Sequence, residues 1–373
     1  MSYFSFIQQA SIEKCHSAAL AWIFSGSNTH FSDDTKTKIL SSWSNTPVTG
    51  KLKKLIVEYK NIDLLLEFED VVIAIENKIK ISEHDNQLAK YTETLAGDYP
   101  DHKVIKLFLS LAGEDPTEPD WIKLEYDSVL ASLKSFPVSS EIIQDYAENL
   151  ECLVSAKNEF LNDHIKFPNV FTDGNKPKPQ KLLELSILPN LPATAKYISF
   201  NGLETILQKV FFRRLIAMRE FNCKSIAINE TRGNALIDFR GLDGIPAFSL
   251  GSGNSIELGI QVQGKTIKAQ FMDSLESSDN RSPRSPATKK KLDNSIPAIF
   301  EALQLSDKGW RMNRPKKADS AYYSFSKKIN FPCPKTEFYE CSTEECLKTI
   351  ADHFNECAEI LMDVHEGLAS CLE

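Results

Sequence analysis

Residues 62–80 read IDLLLEFEDVVIAIENKIK, and this stretch decides the fold of the N-terminal half of the chain. Two apolar runs, 62–68 and 71–78, lie on either side of Glu69 and Asp70. A two-residue connection between two such runs is the commonest form of β-hairpin. The stretch therefore predicts a buried antiparallel hairpin with Glu69 and Asp70 as its turn.

The predicted hairpin brings charged groups together at the end far from its turn. Its register places Asp63 opposite Glu76, and the two-residue period of a strand puts Lys78 on the same face. Leu65 and Ala74 form an apolar floor behind them. Two facing carboxylates repel each other unless a proton or a cation lies between them. The arrangement fits a hard cation such as Mg²⁺, with an adjacent ammonium that orients or deprotonates water and stabilises developing charge.

The spacing of these three charges is a weak pattern by itself, because charges near strand ends are usually solvated. An ordinary salt bridge from Lys78 to either acid is the main alternative, and it predicts only a loss of stability when Asp63 is removed. The following segment, SEHDNQLAKY, supports a site. Ser82 and Asp85 predict a capping box that opens a helix, on which Gln87 and Tyr91 share one face.

These motifs resemble the PD-(D/E)XK nuclease superfamily, in particular bacterial members with an I-E-N-K strand and a Q-L-x-x-Y helix. SIEKCHSAALAWIF, beginning at residue 11, is similar to the first helix of those proteins, and Ile62 stands where the family name has proline. The resemblance covers about residues 10–135. It implies that Asp63 and Glu76 ligate the metal, that Lys78 handles the nucleophilic water, that Glu13 assists through a metal-bound water, and that Gln87 contributes to catalysis with support from Tyr91.

The fold class expected from these observations is α/β. Residues 1–167 are expected to form a restriction-endonuclease-like mixed sheet flanked by helices, with strands near 103–111 and 121–126 and a long helix near 139–165. Five prolines mark 168–192 as a connector. Residues 193–373 are expected to form a second, α+β domain of unknown role, with a helix near 201–221, short alternating segments that predict an antiparallel sheet, and a closing helix near 343–371.

Charge is distributed unevenly along the chain. The net charge of the 373 residues is −8, yet residues 281–335 contain thirteen Lys or Arg and four acids, which makes this segment +9 and the remainder −17. Such asymmetry indicates a surface for a polyanion. A solvated loop explains the run near 289–291 about equally well. The residues predicted to contact nucleic acid are Lys289, Lys290, Lys291, Arg311, Arg314, Lys316 and Lys317.

The composition of the chain indicates its cellular compartment. The eight cysteines do not form CxxC pairs, which suits a reducing compartment. The N-terminus lacks the pattern of a secretory signal, and the sequence contains no apolar run of membrane-spanning length. A cytoplasmic protein without a membrane partner is the expectation.

The resulting expectation is a Mg²⁺-dependent nuclease, with Mn²⁺ as a substitute, that acts as an endonuclease on DNA rather than RNA. The resemblance also associates the chain with defence against phage or foreign DNA. A catalytically silent nuclease fold that binds nucleic acid or regulates a partner is the alternative. Cutting two strands takes two active sites or two visits, so a homodimer or a partner subunit is compatible with the activity.

Overall fold

The computed structural model describes residues 13–80, 82–83, 86–136, 140–167, 170, 191–231, 234–249, 255–273, 286–314, 323–331 and 341–372. Within these ranges the chain forms two compact units, one built from residues up to 170 together with 191–210 and the other from residues 211–372. Each unit has its own sheet. Most of the predicted connector 168–192 lies outside the described residues.

The first unit contains a mixed five-stranded sheet flanked by helices, as the sequence predicts. Its strands follow one another in chain order across the sheet, antiparallel from the first to the third and parallel from the third to the fifth. The strands are β1 (Lys54–Tyr59), β2 (Ile62–Glu67), β3 (Val71–Lys78), β4 (Lys103–Ser110) and β5 (Trp121–Glu125). The helices are α1 (Glu13–Phe24), α2 (Asp33–Ser44), α3 (Gln87–Asp98), α4 (Tyr126–Ser135), α5 (Glu141–Asn162) and α6 (Ala193–Asn201), followed by α7 (Glu204–Met218), which continues beyond Val210 into the second unit.

The predicted hairpin is confirmed in both turn and register. β2 pairs with β3 through Leu64 with Ile75, Leu65 with Ala74, and the two pairs that follow towards the turn. The Phe68 N–H donates to the Val71 carbonyl across the turn (2.8 Å). β3 then pairs in parallel with β4 along its whole length, which makes it the central strand of the sheet.

Alternate residues of β3 serve opposite faces of the sheet. On one face Val72, Ala74 and the floor residue Leu65 pack with Leu88 and Tyr91 of α3 in a buried cluster. Burial of apolar side chains on both faces is expected for the middle of an α/β sheet. The helix α3 is thereby fixed over the face that also carries Glu76 and Lys78.

On the opposite face Asn77 ties helices to the strand. Its Nδ2 donates to the Glu13 carbonyl (3.1 Å) and to Ser17 Oγ (3.1 Å), both on α1, and its Oδ1 accepts from the hydroxyl of Tyr126 (2.6 Å), at the start of α4. The three contacts join residues that are far apart in the sequence, and the contacts with Ser17 and Tyr126 are buried. Buried polar groups are retained when their hydrogen bonds are made, and here they fix which helices cover the sheet.

The structure differs from the sequence-based expectation at the start of α3. The helix begins at Gln87, after Asn86 in a left-handed conformation (φ 54°) and without a side-chain cap, so the capping box predicted from Ser82 is wrong. The carboxylate of Glu83 instead accepts from the Leu88 N–H (3.5 Å). His84 and Asp85 lie outside the described residues.

Other boundaries also differ. The sequence pattern missed α4, and α5 is shorter than the helix predicted near 139–165. The helix predicted near 201–221 is two helices, because Gly202 adopts a left-handed conformation (φ 63°) that ends α6. The α6 helix packs against α5, where the Tyr197 hydroxyl donates to Asn149 Oδ1 (2.6 Å). Residues 193–210 therefore belong with the first unit rather than with the domain predicted to begin at 193.

The second unit contains an antiparallel sheet, also as predicted. Its strands are β6 (Cys223–Thr231), β7 (Asn234–Leu242), β8 (Phe248–Ser249), β9 (Ser255–Gln263), β10 (Thr266–Asp273), β11 (Arg311–Asn313) and β12 (Ser324–Lys328). Their order across the sheet is β11-β12-β10-β9-β7-β6, and β8 pairs with β9. In the described residues the end of α7 and two further helices, α8 (Pro286–Ala302) and α9 (Thr343–Leu372), belong to this unit.

The helices cover one face of this sheet through aromatic contacts. Phe354 of α9 packs against Phe239 of β7 (4.7 Å between ring centroids), and Phe300 of α8 packs against Phe325 of β12 (5.1 Å). Trp310 is buried as well. These aromatic residues therefore serve the core of the second unit.

We predict that Asn77→Ala lowers the free energy of unfolding of the first unit by about 2 to 4 kcal/mol, because the substitution leaves the buried Tyr126 hydroxyl and the Ser17 hydroxyl without this partner. Urea unfolding followed by tryptophan fluorescence measures the effect. The control is Asn162→Ala at the exposed end of α5, which should change stability by less than about 0.5 kcal/mol. Equal effects of the two substitutions would contradict the anchoring role of Asn77.

Candidate active site

Asp63, Glu76 and Lys78 lie together at the end of the β2–β3 hairpin, as predicted. Lys78 Nζ is 2.7 Å from Glu76 Oε1, and both side chains are buried. Asp63 Oδ2 accepts from the Asn77 N–H (2.8 Å), which fixes its carboxylate against the neighbouring strand. The site therefore combines two carboxylates and one ammonium in a largely dehydrated position.

The two carboxylates have raised pKa values. Burial raises the pKa of Asp63 to about 6, against the opposing effects of the Asn77 N–H and of Lys78. Burial and the charge of Asp63 raise the pKa of Glu76 to about 8, although the Lys78 ammonium acts in the other direction. The pKa of Lys78 is raised because Glu76, Glu13 and Asp63 together outweigh its own burial. Without a cation, the site thus favours a proton on its carboxylates and keeps Lys78 charged.

Helix α3 holds Glu76 in place through Gln87 and Tyr91. Gln87 Nε2 donates to Glu76 Oε1 (3.0 Å) and to the Tyr91 hydroxyl (2.6 Å). The Tyr91 hydroxyl in turn donates to the carbonyl of Asn61 (2.7 Å), in the turn between β1 and β2. This chain of hydrogen bonds links the helix, the turn and the carboxylate. The contribution of Gln87 to catalysis, with support from Tyr91, remains a prediction.

Glu13 reaches the same end of β3 from the first turn of α1. Its Oε1 accepts from the backbone N–H groups of Ile79 (2.9 Å) and Lys80 (3.0 Å). Its charge contributes to the raised pKa values of Asp63 and Lys78. The carboxylate therefore organises the chain beyond Lys78. The predicted role through a metal-bound water remains a prediction.

A further acid, Glu58, lies beside the site and was not foreseen from the sequence. The pairs Val57 with Leu64 and Tyr59 with Ile62 place Glu58 next to Asp63 on the neighbouring strand. Its backbone has a φ of 57°, an uncommon value for a residue with a side chain. Its charge helps to raise the pKa of Asp63. The sequence did not point to Glu58 because β1 was not predicted as a strand of the sheet.

Two buried oxygen atoms of the site fit a cation. Glu76 Oε2 and Gln87 Oε1 are buried without a hydrogen-bond partner. An unsatisfied buried oxygen costs free energy, and a hard cation with oxygen ligands would compensate it. In the described part of the chain no three or more His, Cys, Asp or Glu side chains are arranged to hold a metal ion. A cation held there by Asp63 and Glu76 would keep several waters as its other ligands, as Mg²⁺ does.

The predicted basic residues belong to the second unit. Lys289, Lys290 and Lys291 are in α8, Arg311 is exposed on β11, and Arg314 is exposed just after it. Lys316 and Lys317 lie outside the described residues. Their role in binding nucleic acid remains a prediction.

None of the helices in the described ranges has the length and apolarity that crossing a membrane requires.

Comparisons with known proteins bear on the first unit. The search of curated proteins and the search of solved structures found no match. Residues 2–165 match the family model of the PD-(D/E)XK nuclease superfamily. Over these 164 of its 373 residues the chain is similar to the PD-(D/E)XK nuclease superfamily.

Proposed function

We propose that the protein is a metal-dependent nuclease that hydrolyses phosphodiester bonds, with DNA as its substrate and an endonucleolytic mode of cutting. The observation that carries the proposal is the pair of facing acids, the buried Glu76 and the half-buried Asp63, with the ammonium of Lys78 at 2.7 Å from Glu76. An ordinary structural salt bridge needs one acid and one base. The second carboxylate and the unpartnered Glu76 Oε2 favour a reaction centre.

Asp63 and Glu76 would hold the metal. A bound Mg²⁺, or Mn²⁺ in its place, supplies positive charge to the phosphate and lowers the pKa of coordinated water. The protein holds the two carboxylates in position, because the Asn77 N–H donates to Asp63 and Gln87 donates to Glu76. Because both acids are held by groups from other segments, little rearrangement is needed before the reaction.

Lys78 acts as a charged group in this proposal. Its raised pKa keeps the side chain protonated at neutral pH, so it orients the attacking water and stabilises the negative charge that develops on the phosphate. Deprotonation of the water by Lys78, the other role that the sequence allows, stays a prediction.

The choice of DNA, a role in defence against phage or foreign DNA, and a cytoplasmic location rest on association with the superfamily and on composition. A homodimer or a partner subunit is compatible with cutting both strands of a duplex. The silent, nuclease-like binding module is distinguished by experiment, since it would bind nucleic acid without dependence on metal or on Lys78.

We predict that the purified protein cuts supercoiled plasmid DNA with Mg²⁺ or Mn²⁺ and that EDTA abolishes the cutting. Lys78→Ala and Glu76→Gln should each lower the rate roughly a hundredfold or more, because the first removes the ammonium that stabilises the developing charge and the second removes a carboxylate ligand of the metal. Conversion of supercoiled to nicked and linear plasmid measures the rate. Single-stranded DNA and RNA are assayed in parallel to test the choice of substrate.

Lys134→Ala and Glu151→Gln are the matched controls for this assay. These residues form an exposed ion pair in the same unit (2.7 Å), so their loss should leave the rate unchanged. Folded protein that binds metal but leaves DNA and RNA intact would contradict the proposal. Metal-independent binding that Lys78→Ala does not alter would support the silent module instead.

We predict that, without metal, the free energy of unfolding of the first unit falls as the pH rises from about 5 to 8. The folded-state pKa values of Asp63 (about 6) and Glu76 (about 8) lie above the unfolded values of 3.8 and 4.5. Stability from these protonated groups is therefore complete below the unfolded values and is lost as the pH passes the folded ones. At about 1.4 kcal/mol for each pKa unit, the expected loss is on the order of 5 kcal/mol.

Urea unfolding at a series of pH values, in EDTA and in saturating Mg²⁺, tests this dependence. Mg²⁺ should reduce the fall because the cation replaces the proton. Glu76→Gln should flatten the profile between about pH 6 and 8, and the exposed control Glu151→Gln should not. Identical profiles for wild type and Glu76→Gln would show that Glu76 is ionised throughout.

Reversal of Lys289, Lys290 and Lys291 to Glu is predicted to weaken binding of nucleic acid and to lower the dependence of binding on salt. Fewer phosphate contacts release fewer counterions. On a duplex, each lost contact reduces the slope of the logarithm of the binding constant against the logarithm of the salt concentration by about 0.9. Fluorescence anisotropy of a labelled duplex in EDTA, over a range of salt concentrations, measures the slope. An unchanged slope would assign the three lysines to a solvated surface.

A further inference from the structure

The sheet of the second unit has one polar face. Alternation along the strands places Asn229, Asp238, Gln261, Lys268 and Gln270 on this face, because Asp238 pairs with Gln261 and Gln261 pairs with Lys268. These five residues define what we call the polar sheet face. The opposite face is apolar and packs against α8 and α9 through Phe325 and Phe239.

The polar sheet face is an ordered array of hydrogen-bonding groups. Asp238, which is only 5% exposed, accepts from Asn229 Nδ2 (3.2 Å), Gln261 Nε2 (2.9 Å) and Gln270 Nε2 (3.2 Å). Lys268 Nζ donates to Gln261 Oε1 (3.0 Å). A solvated sheet surface does not need a buried carboxylate to hold its amides. The array therefore fixes the amide side chains in one orientation, as a binding surface requires.

The exposed charges of this face are positive. The register places Arg240, Arg311 and Lys328 on the same side as Lys268, since Arg240 is two residues from Asp238 and both Arg311 and Lys268 pair with Ser326. All four cations are exposed or half-buried, whereas Asp238 is buried. Burial also lowers the pKa of Lys268, partly offset by Asp238. An anion bound beside Lys268 would stabilise the charged form of its ammonium, which burial disfavours.

We propose that the polar sheet face binds the phosphate backbone of a nucleic acid, with its fixed amides contacting base or sugar groups. The cations complement a polyanion, and the Asn and Gln side chains supply the donors and acceptors that base edges and sugars recognise. The inference rests on the proposed nuclease function for its choice of ligand. It assigns the recognition of substrate to a part of the chain outside the family match, which covers residues 2–165.

The test is binding of the full chain in EDTA, so that the result does not depend on cutting. Labelled duplex DNA, single-stranded DNA and RNA are titrated by fluorescence anisotropy at several salt concentrations. The double variant Arg311→Glu with Lys328→Glu should weaken binding at least about tenfold near 0.1 M salt and reduce the salt slope. Both residues are exposed on strands near the sheet edge, so their replacement should not affect folding.

The matched control is Arg219→Glu with Lys348→Glu, which makes the same change of charge in the same unit. Lys348 is on α9 and Arg219 faces Asp352 of that helix (3.9 Å), so both belong to the helix-covered side of the sheet. This control should bind nearly as wild type. A second variant, Gln261→Ala, keeps the charge and should change the preference among the three nucleic acids more than it changes the salt slope.

The outcomes separate this inference from the proposed function. Metal-dependent cutting, with binding that neither the charge reversal nor Gln261→Ala alters, overturns the inference and leaves the nuclease function intact. Binding through the polar sheet face without cutting supports the inference and contradicts the nuclease function. Absence of any nucleic-acid binding by wild type overturns the inference and indicates a partner of another class for this face.

Discussion

The constraint on which the rest of the first unit depends is a pair of facing carboxylates in an apolar sheet, with Glu76 buried and Asp63 half-buried. Asp63 and Glu76 cannot both be ionised there at low cost, so the surrounding groups have to supply charge and hydrogen bonds. Lys78, the Asn77 N–H and Gln87 do so. Lys78 and Asn77 come from β3 and Gln87 comes from α3, so the site depends both on the pairing of β3 with β2 and on the position of α3 over the sheet.

Alternate side chains of the central strand β3 point to opposite faces of the sheet, and the two faces have different roles, one chemical and one structural. Glu76 and Lys78 serve one face, and between them Asn77 holds α1 and α4 on the other. A shift of the strand by one residue would exchange these roles, placing the amide at the site and the acid among the helices. The anchoring of Asn77 and the apolar packing around Ala74 therefore protect the register that the chemistry needs.

The hairpin, its register and the Gln87–Tyr91 pairing could be predicted from the sequence because they follow from local period and turn chemistry. The contacts of Asn77 with α1 and Tyr126 could not, since they join segments distant in sequence through side chains that look ordinary in isolation. The start of α3 was misplaced because Ser82 resembles a cap, while the first turn is satisfied differently. Glu58 was missed together with β1, whose charged residues hide its strand pattern.

The unusual backbone of Glu58 also has a consequence for solubility. Within the described part of the chain β1 is the outer strand of its sheet and pairs with β2 alone. Outer strands expose backbone groups that can pair with another molecule and start aggregation. A left-handed residue near the end of β1, together with the lysines Lys53 and Lys54, interrupts that exposed edge and surrounds it with charge. The left-handed backbone at Glu58 thus also guards the sheet against unwanted growth.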